Sequence, residues 1–208
     1  MRPEVSSATG QSRPPRAVEL LERAVGYTRA SLVLVTEADL RRPTPCRGWL
    51  LHDLLTHMDD SLEAMAEAAR ATSLSLVPAR PPGDGSDLLD SICHRARGLL
   101  AHWHTTDAGS AVAPGPSAEV GLGDLWLSRE LLGSVGALEI ALHGWDVAEA
   151  IGRPRSIPPG LAMDLWAVAR DHITDVDRPF RFGPSLEVSD WATPTARLLA
   201  HAGRSTAW

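Results

Sequence analysis

The segment ALEIALHGWDVAEAIG, residues 137–152, repeats apolar residues at the spacing of an α-helix. With the residues just before it, the segment forms an apolar stripe of Leu132, Val135, Leu138, Leu142 and Val147. Residues three and four positions apart lie on one helical face. We therefore predict a long helix from about Asp124 to Ile151, with a break near Gly133 or Gly136. Gly152 stands where a C-terminal cap is expected.

Two polar residues of this helix border the apolar stripe. Glu139 and His143 are four positions apart, so they share a helical face. An ionised carboxylate buried in a core costs several kcal/mol unless another group compensates its charge. A divalent metal ion would compensate it, because carboxylate oxygen and imidazole nitrogen are both good ligands. A plain surface pair is the alternative explanation of the same spacing.

A third candidate ligand lies in LLHDLLTHMDDSLEAM, residues 50–65. His57 shares a helical face with Leu54, so its ring is expected to point inward or nearly so. Asp53 or Asp60 could then accept a hydrogen bond from that ring. The set His57, Glu139 and His143 leaves coordination positions open. Such a set suits a catalytic zinc with bound water, or an iron(II) facial triad.

The remaining chain predicts more helices and no regular alternation of strands with helices. Residues 1–16 are rich in Pro, Ser and Arg and are expected to be a disordered tail. Further helices are expected at about residues 17–35, 50–71, 87–103, 161–174 and 193–202. The connection 105–123 is expected to hold a short extended piece at 110–113, and residues 180–188 are weakly alternating. We expect an all-α bundle over 17–152, with a C-terminal extension, 153–208, packed on it.

Composition narrows the classes of partner. The 208 residues carry 26 acidic and 20 basic side chains, a net charge of −6. An acidic chain is a poor fit for nucleic acid or for anionic lipid, because phosphate binding needs a basic face. A small-molecule substrate is the expected partner. Exposed apolar positions on the first helix could also serve a homodimer.

The sequence also carries signs of its origin and location. All 20 basic residues are arginine, and the chain has no lysine and no asparagine. This usage is typical of a GC-rich genome such as that of an actinobacterium. The N-terminal segment lacks the apolar stretch of a signal peptide, and no apolar run reaches the ~20 residues of a membrane helix. We expect a cytoplasmic protein with reduced thiols at Cys46 and Cys93.

Three separated segments resemble a known family. PTPCRGWLLHDLLTHM (43–58), ALEIALHGWDVAEAIG (137–152) and RLLAHAGRSTAW (197–208) are similar, in order and spacing, to an actinobacterial branch of the DinB-like metal-binding superfamily. This branch is related to the N-terminal domain of mycothiol-dependent maleylpyruvate isomerase. The resemblance implies an up-down-down-up four-helix bundle. It also implies a metal site made by a His of helix two and an E/H-x-x-x-H pair of helix four, which fall on His57, Glu139 and His143.

The resemblance implies a function as well. We expect an enzyme that depends on a divalent metal, with zinc as the first choice and iron, nickel or manganese as alternatives. In the family the co-substrate is mycothiol, so the expected reaction is S-transfer to a small electrophilic metabolite, or its thiol-assisted isomerisation. Two alternatives stay open: zinc-water or Lewis-acid chemistry on a natural-product intermediate, and a non-catalytic metal-binding or sensing role.

Two residues near the expected site have more than one interpretation. Cys46, in the TPCRGW motif, could exchange thiols near the metal, but we favour a small apolar residue packed under Trp49. A reactive thiol would need a lowered pKa. Asp146 follows His143 by three residues and is expected to hold the His143 ring or to bond to a neighbouring helix.

Overall fold

A computed structural model describes residues 16–70, 85–109, 119–122, 125–178 and 180–206. Six α-helices, one short hairpin and two 3-10 turns, Glu37–Arg41 and Asp175–Asp177, make up the regular structure of these residues. The helices are α1 (Ala17–Leu32), α2 (Leu51–Arg70), α3 (Gly85–Gly109), α4 (Arg129–Ala150), α5 (Pro159–His172) and α6 (Pro194–His201). The strands are β1 (Glu119–Leu122) and β2 (Leu125–Ser128). The expected all-α class is therefore confirmed, with the hairpin as a small addition.

Helices α1 to α4 form the bundle. Helix α1 packs along α4 and α2 packs along α3, while contacts between α2 and α4 and between α1 and α3 close the core. Helix α4 is central because almost every side chain from Ala137 to Ala148 is buried. A helix that is apolar on all sides is stable only when other elements cover it, and α1, α2 and α5 do so here.

Helices α1 and α4 approach each other closely at Gly144. A Cβ atom built at Gly144 would lie 2.9 Å from the Thr28 Cβ, so a larger residue does not fit there. The Thr28 hydroxyl donates to the carbonyl oxygen of Ile140 at 2.7 Å, which satisfies this buried group. The close approach brings one side of α4 against α1 and leaves its Glu139 and His143 side toward α2.

The segment after α4 packs on the bundle. Gly152, at φ +69°, ends α4 as predicted, and its amide donates to the Glu149 carbonyl oxygen at 2.9 Å. Helix α5 contacts α1 and α4, and α6 contacts α5. Ile157 and Leu161 are fully buried in the same core as the bundle helices. The buried side chains of α5 and α6 thus belong to the same hydrophobic core as those of α1 to α4.

Several predicted boundaries differ from the structure. Helix α4 begins at Arg129 rather than Asp124, because residues 125–128 pair as β2 with β1, antiparallel and in the register Val120 with Leu127. The Ser128 hydroxyl then caps the helix by accepting from the Leu131 amide at 3.2 Å. No break occurs within Arg129–Ala150, so the prediction of one near Gly133 or Gly136 was wrong.

Other predictions concern the first helix, the connections and the membrane. Helix α1 ends at Leu32, three residues before the predicted end, and two turns lead from there to the 3-10 turn Glu37–Arg41. Residues 180–188 form no strand in the described part of the chain. Of the expected tail, 1–16, residues 1–15 lie outside the described residues, and so does the extended piece expected at 110–113. None of the described helices has the length and apolarity that a bilayer crossing requires.

Candidate metal centre

The structure brings His57, Glu139 and His143 together. One nitrogen or oxygen atom of each lies within 4.8 Å of the other two. The Glu139 Oε2 atom is 3.2 Å from His143 Nε2 and 3.9 Å from His57 Nε2. The His57 side chain is 36 % exposed, that of Glu139 23 % and that of His143 11 %. The cluster is therefore reachable from solvent mainly past His57.

Two helices position these side chains. Glu139 and His143 lie one turn apart on α4, which puts both groups on its α2-facing side. His57 reaches across from α2, and its ring meets the His143 ring edge-on with centroids 5.1 Å apart. Trp49, just before α2, also contacts the His57 ring, at a centroid distance of 5.1 Å. The Ser61 hydroxyl lies 3.5 Å from His57 Nε2.

The electrostatics of the cluster favour a negative charge on Glu139. Burial opposes that charge, but hydrogen bonds and charges from His143 and His57 outweigh burial and hold the pKa of Glu139 well below its ordinary value. Burial likewise opposes a charged His143, but the pKa of His143 is raised well above its usual range by hydrogen bonds to Asp146, Cys46 and Glu139. These shifts favour an ionised Glu139 carboxylate beside a cationic His143 imidazole.

A buried ion pair stands behind His143. The His143 Nδ1–H donates to Asp146 Oδ2 at 2.9 Å, which turns Nε2 toward Glu139. Asp146 is fully buried and accepts from Arg204 Nε at 2.9 Å and from Arg204 Nη2 at 2.8 Å. The Arg204 guanidinium and the His143 hydrogen bond overcome burial and lower the pKa of Asp146. Such a partner fixes the orientation of a ligating histidine.

Cys46 contacts this ion pair, which the sequence did not indicate. Its thiol donates to Asp146 Oδ2 at 3.3 Å, and its Sγ lies 3.9 Å from His143 Nδ1. A tight turn before α2 places it there: Gly48 has φ +83°, and the Trp49 amide donates to the Cys46 carbonyl oxygen at 3.0 Å. The favoured interpretation of Cys46 as an apolar packing residue was incomplete, because its thiol is hydrogen-bonded.

The expected partners of His57 differ from those in the structure. Asp53 accepts from the Leu50 amide at 2.9 Å and so caps the start of α2. Ser61 and Glu139, rather than Asp53 or Asp60, approach the His57 ring within the described residues. Arg181, which the sequence did not single out, reaches the cluster from the segment after α5, with its Nη2 3.9 Å from Glu139 Oε1.

The donor set fits a small divalent cation. Two imidazole nitrogens and one carboxylate are the ligands of many catalytic zinc sites, with bonds of about 2.0–2.2 Å. Tetrahedral ligands at those bond lengths lie about 3.3 Å apart, close to the 3.2 Å between Glu139 and His143. The 3.9 Å between Glu139 and His57 is slightly wider, and His57 is the most exposed of the three. The ionised carboxylate supplies the negative charge that a cation needs.

Comparisons with known proteins agree with this architecture. The chain is 27 % identical over 149 residues to uncharacterized proteins from two strains of Mycobacterium tuberculosis, covering 72 % of this chain and 75 % of each relative. Its fold matches the crystal structure of the mycothiol-dependent maleylpyruvate isomerase with a TM-score of 0.65 and 14 % identity, covering 91 % of this chain and 89 % of the other. The likeness confirms the DinB-like bundle as a fold.

A sequence profile carries the family assignment. The profile of the mycothiol maleylpyruvate isomerase N-terminal domain matches residues 21–148. This range runs from α1 into α4 and includes His57, Glu139 and His143, with Asp146 near its end. Because the profile covers more than half of the chain, the protein belongs to the mycothiol maleylpyruvate isomerase N-terminal domain family.

Proposed function

We propose that the protein is a metal-dependent enzyme that uses mycothiol for S-transfer to a small electrophilic metabolite, or for its isomerisation. The observation that carries the proposal is the convergence of His57, Glu139 and His143 on one spot, within a family named for a mycothiol-dependent enzyme. Zinc is the proposed metal, since two imidazoles and one carboxylate with open positions are typical of catalytic zinc. When bound, the ion would lower the pKa of a coordinated thiol and so make it a nucleophile at neutral pH.

The residues around the cluster have separable tasks in this proposal. Glu139 supplies the charge and His57 and His143 supply nitrogen donors. Asp146 holds the His143 ring by its Nδ1–H, and Arg204 holds Asp146 in turn. The exposed Arg181 is near enough to Glu139 to pair with an anionic group of the substrate.

Metal analysis of the purified full-length protein tests the first half of the proposal. We expect one zinc per chain in the wild type and loss of that zinc in His57→Ala. His52→Ala is the matched control, because His52 lies on the same helix, five residues earlier and about 140° around it. Retention of zinc in His57→Ala, or its loss from both variants alike, would overturn the assignment of His57 as a ligand.

Calorimetric titration with mycothiol tests the second half. Mycothiol is expected to bind the zinc-loaded wild type and to bind much more weakly after chelation, because the thiol needs the metal. Binding that is equal with and without metal would contradict a thiol–metal contact. A zinc-loaded protein that does not bind mycothiol at all would instead favour zinc-water chemistry or a sensing role.

A further inference from the structure

A cavity leads from the candidate metal centre into the bundle. Ser61, Glu139 and His143 are among its lining residues, although nearly all of the lining surface is apolar. The same three residues border the cluster, where Ser61 lies 3.5 Å from His57 Nε2 and Glu139 lies 3.2 Å from His143. A molecule in this cavity would therefore meet the metal centre with one end.

The walls of the cavity are apolar and come from all four bundle helices. Leu32 of α1, Met58 and Leu62 of α2, Ile92 of α3 and Ile140 of α4 contribute to them. All five side chains are buried. Water in such a space has few hydrogen-bond partners, so an apolar group would displace it favourably.

The cavity also reaches residues of α1 and α3 that are exposed to solvent. Arg29 of α1 and Arg97 of α3 line the cavity although both residues are exposed, and Cys93 beside them is half-buried. Long arginine side chains can lay their methylene groups along an apolar surface and keep the guanidinium in water. The exposed side of the cavity, which we call its mouth, is thus lined by Arg29, Arg97 and Cys93.

We propose that this cavity binds the apolar body of the electrophilic substrate, with its reactive carbon at the end beside the metal centre. The inference rests on the proposed function and adds the substrate class. The cavity measures about 60 Å³. An ordered water needs roughly 10–15 Å³ of such volume, so the space holds about four to six heavy atoms. A short alkyl chain or a small ring fits that size, whereas a multiply charged acid such as maleylpyruvate would leave its carboxylates facing apolar walls.

A series of straight-chain alkyl hydroxamates tests the proposal, because a hydroxamate head binds zinc and the tail can enter the cavity. The series runs from acetohydroxamate to octanohydroxamate and is titrated by calorimetry into zinc-loaded full-length protein. Each methylene that is buried is expected to tighten binding about fourfold. The affinity should stop rising after about five carbons, when the cavity is full.

Two variants of one helix test whether the cavity is the site of the tail. Ala96→Leu puts three more carbon atoms into the cavity, because Ala96 of α3 lines it and is 8 % exposed. In the Ala96→Leu variant, the hydroxamate affinity should stop rising about three carbons earlier in the series. Ala101→Leu makes the same change at an exposed position of α3 and should leave the series unchanged.

Alkylation of Cys93 gives a second readout that needs no variant. Iodoacetamide should modify Cys93 more slowly with hexanohydroxamate bound than with acetohydroxamate bound, because only the longer tail reaches the mouth. Peptide mapping distinguishes Cys93 from Cys46. This measurement decides the matter if Ala96→Leu proves too unstable to purify.

The outcomes separate this inference from the proposed function. If acetohydroxamate binds but longer tails gain nothing and leave Cys93 equally reactive, the cavity is not the substrate site, while the metal centre stands. If Ala96→Leu and Ala101→Leu give the same chain-length profile, the tail binds elsewhere and the inference is wrong. If the protein takes up no zinc, the proposed function and this inference fall together.

Discussion

Replacement of Arg204 by methionine should destabilise the fold strongly. Arg204 Nε and Nη2 donate to Asp146 at 2.9 Å and 2.8 Å, and the two side chains are 8 % and 0 % exposed. Removing one partner of a buried pair typically costs about 3–5 kcal/mol, because the other charge is left uncompensated. The His143 imidazole still donates to Asp146 at 2.9 Å. We therefore expect the lower end of this range, about 3 kcal/mol.

Urea denaturation of the full-length protein, followed by far-UV circular dichroism, measures the loss. A thermal melt followed by the same signal gives a second measure. For a chain of this size, 1 kcal/mol shifts the melting temperature by roughly 2–4 °C, so Arg204→Met should melt about 9 °C lower. Arg23→Met is the matched control, since Arg23 pairs with Asp164 at 2.6 Å with side chains 39 % and 26 % exposed. A pair this exposed is worth about 1 kcal/mol or less.

A double variant separates two effects of Arg204→Met: the loss of the hydrogen bonds to Asp146, and the cost of leaving the Asp146 carboxylate buried without its guanidinium. Adding Asp146→Asn to Arg204→Met removes the carboxylate, so the double variant should be less destabilised than Arg204→Met alone. If Arg204→Met costs no more than Arg23→Met, Asp146 does not depend on its guanidinium. The view of a buried ion pair that supports His143 would then be wrong.

Three further predictions concern single positions. Gly144→Ala should lower the free energy of unfolding by about 1–3 kcal/mol, because its Cβ would press on Thr28. Gly26→Ala is the control, because Gly26 lies on α1, which packs against α4, and has open space around it. It should be neutral or stabilising by up to about 1 kcal/mol in the same urea assay. Ser128→Ala should cost about 0.5–2 kcal/mol through loss of the α4 cap, and a loss below the error of the denaturation curve would show that the cap is dispensable. Burial raises the pKa of Tyr27, the single tyrosine, well above its ordinary value of about 10. Its contribution to stability is therefore fully present below pH ~10 and lost as the pH rises further, and a tyrosinate absorbance that appears at pH ~10 in the folded protein would contradict this burial.

The helical fold could be predicted from local patterns, and part of the site with it. The four-residue spacing of Glu139 and His143 fixes their common face once the helix forms, whatever the rest of the chain does. Assigning His57 to the same cluster needed knowledge of which helices are neighbours, and the resemblance to a known family supplied it. The domain division, the metal, the cytoplasmic location and the homodimer stay predictions.

The surroundings of the site could not be predicted, because they depend on tertiary contacts. Cys46 and Arg204 reach Asp146 across 100 and 58 residues of sequence, and no local period signals such pairings. The β1–β2 hairpin was missed for a different reason. Its strands have four residues each, which is too short for a reliable alternation.

The long sequence interval between Asp146 and Arg204 has a consequence for synthesis on the ribosome. Helix α4 emerges while the guanidinium that completes its buried carboxylate is still to be translated. Until then, closing the nascent bundle around Asp146 carries the extra cost of a buried carboxylate that lacks its guanidinium partner. The imidazole of His143 thus acquires its final orientation late, and assembly of the fold and maturation of the centre become successive events.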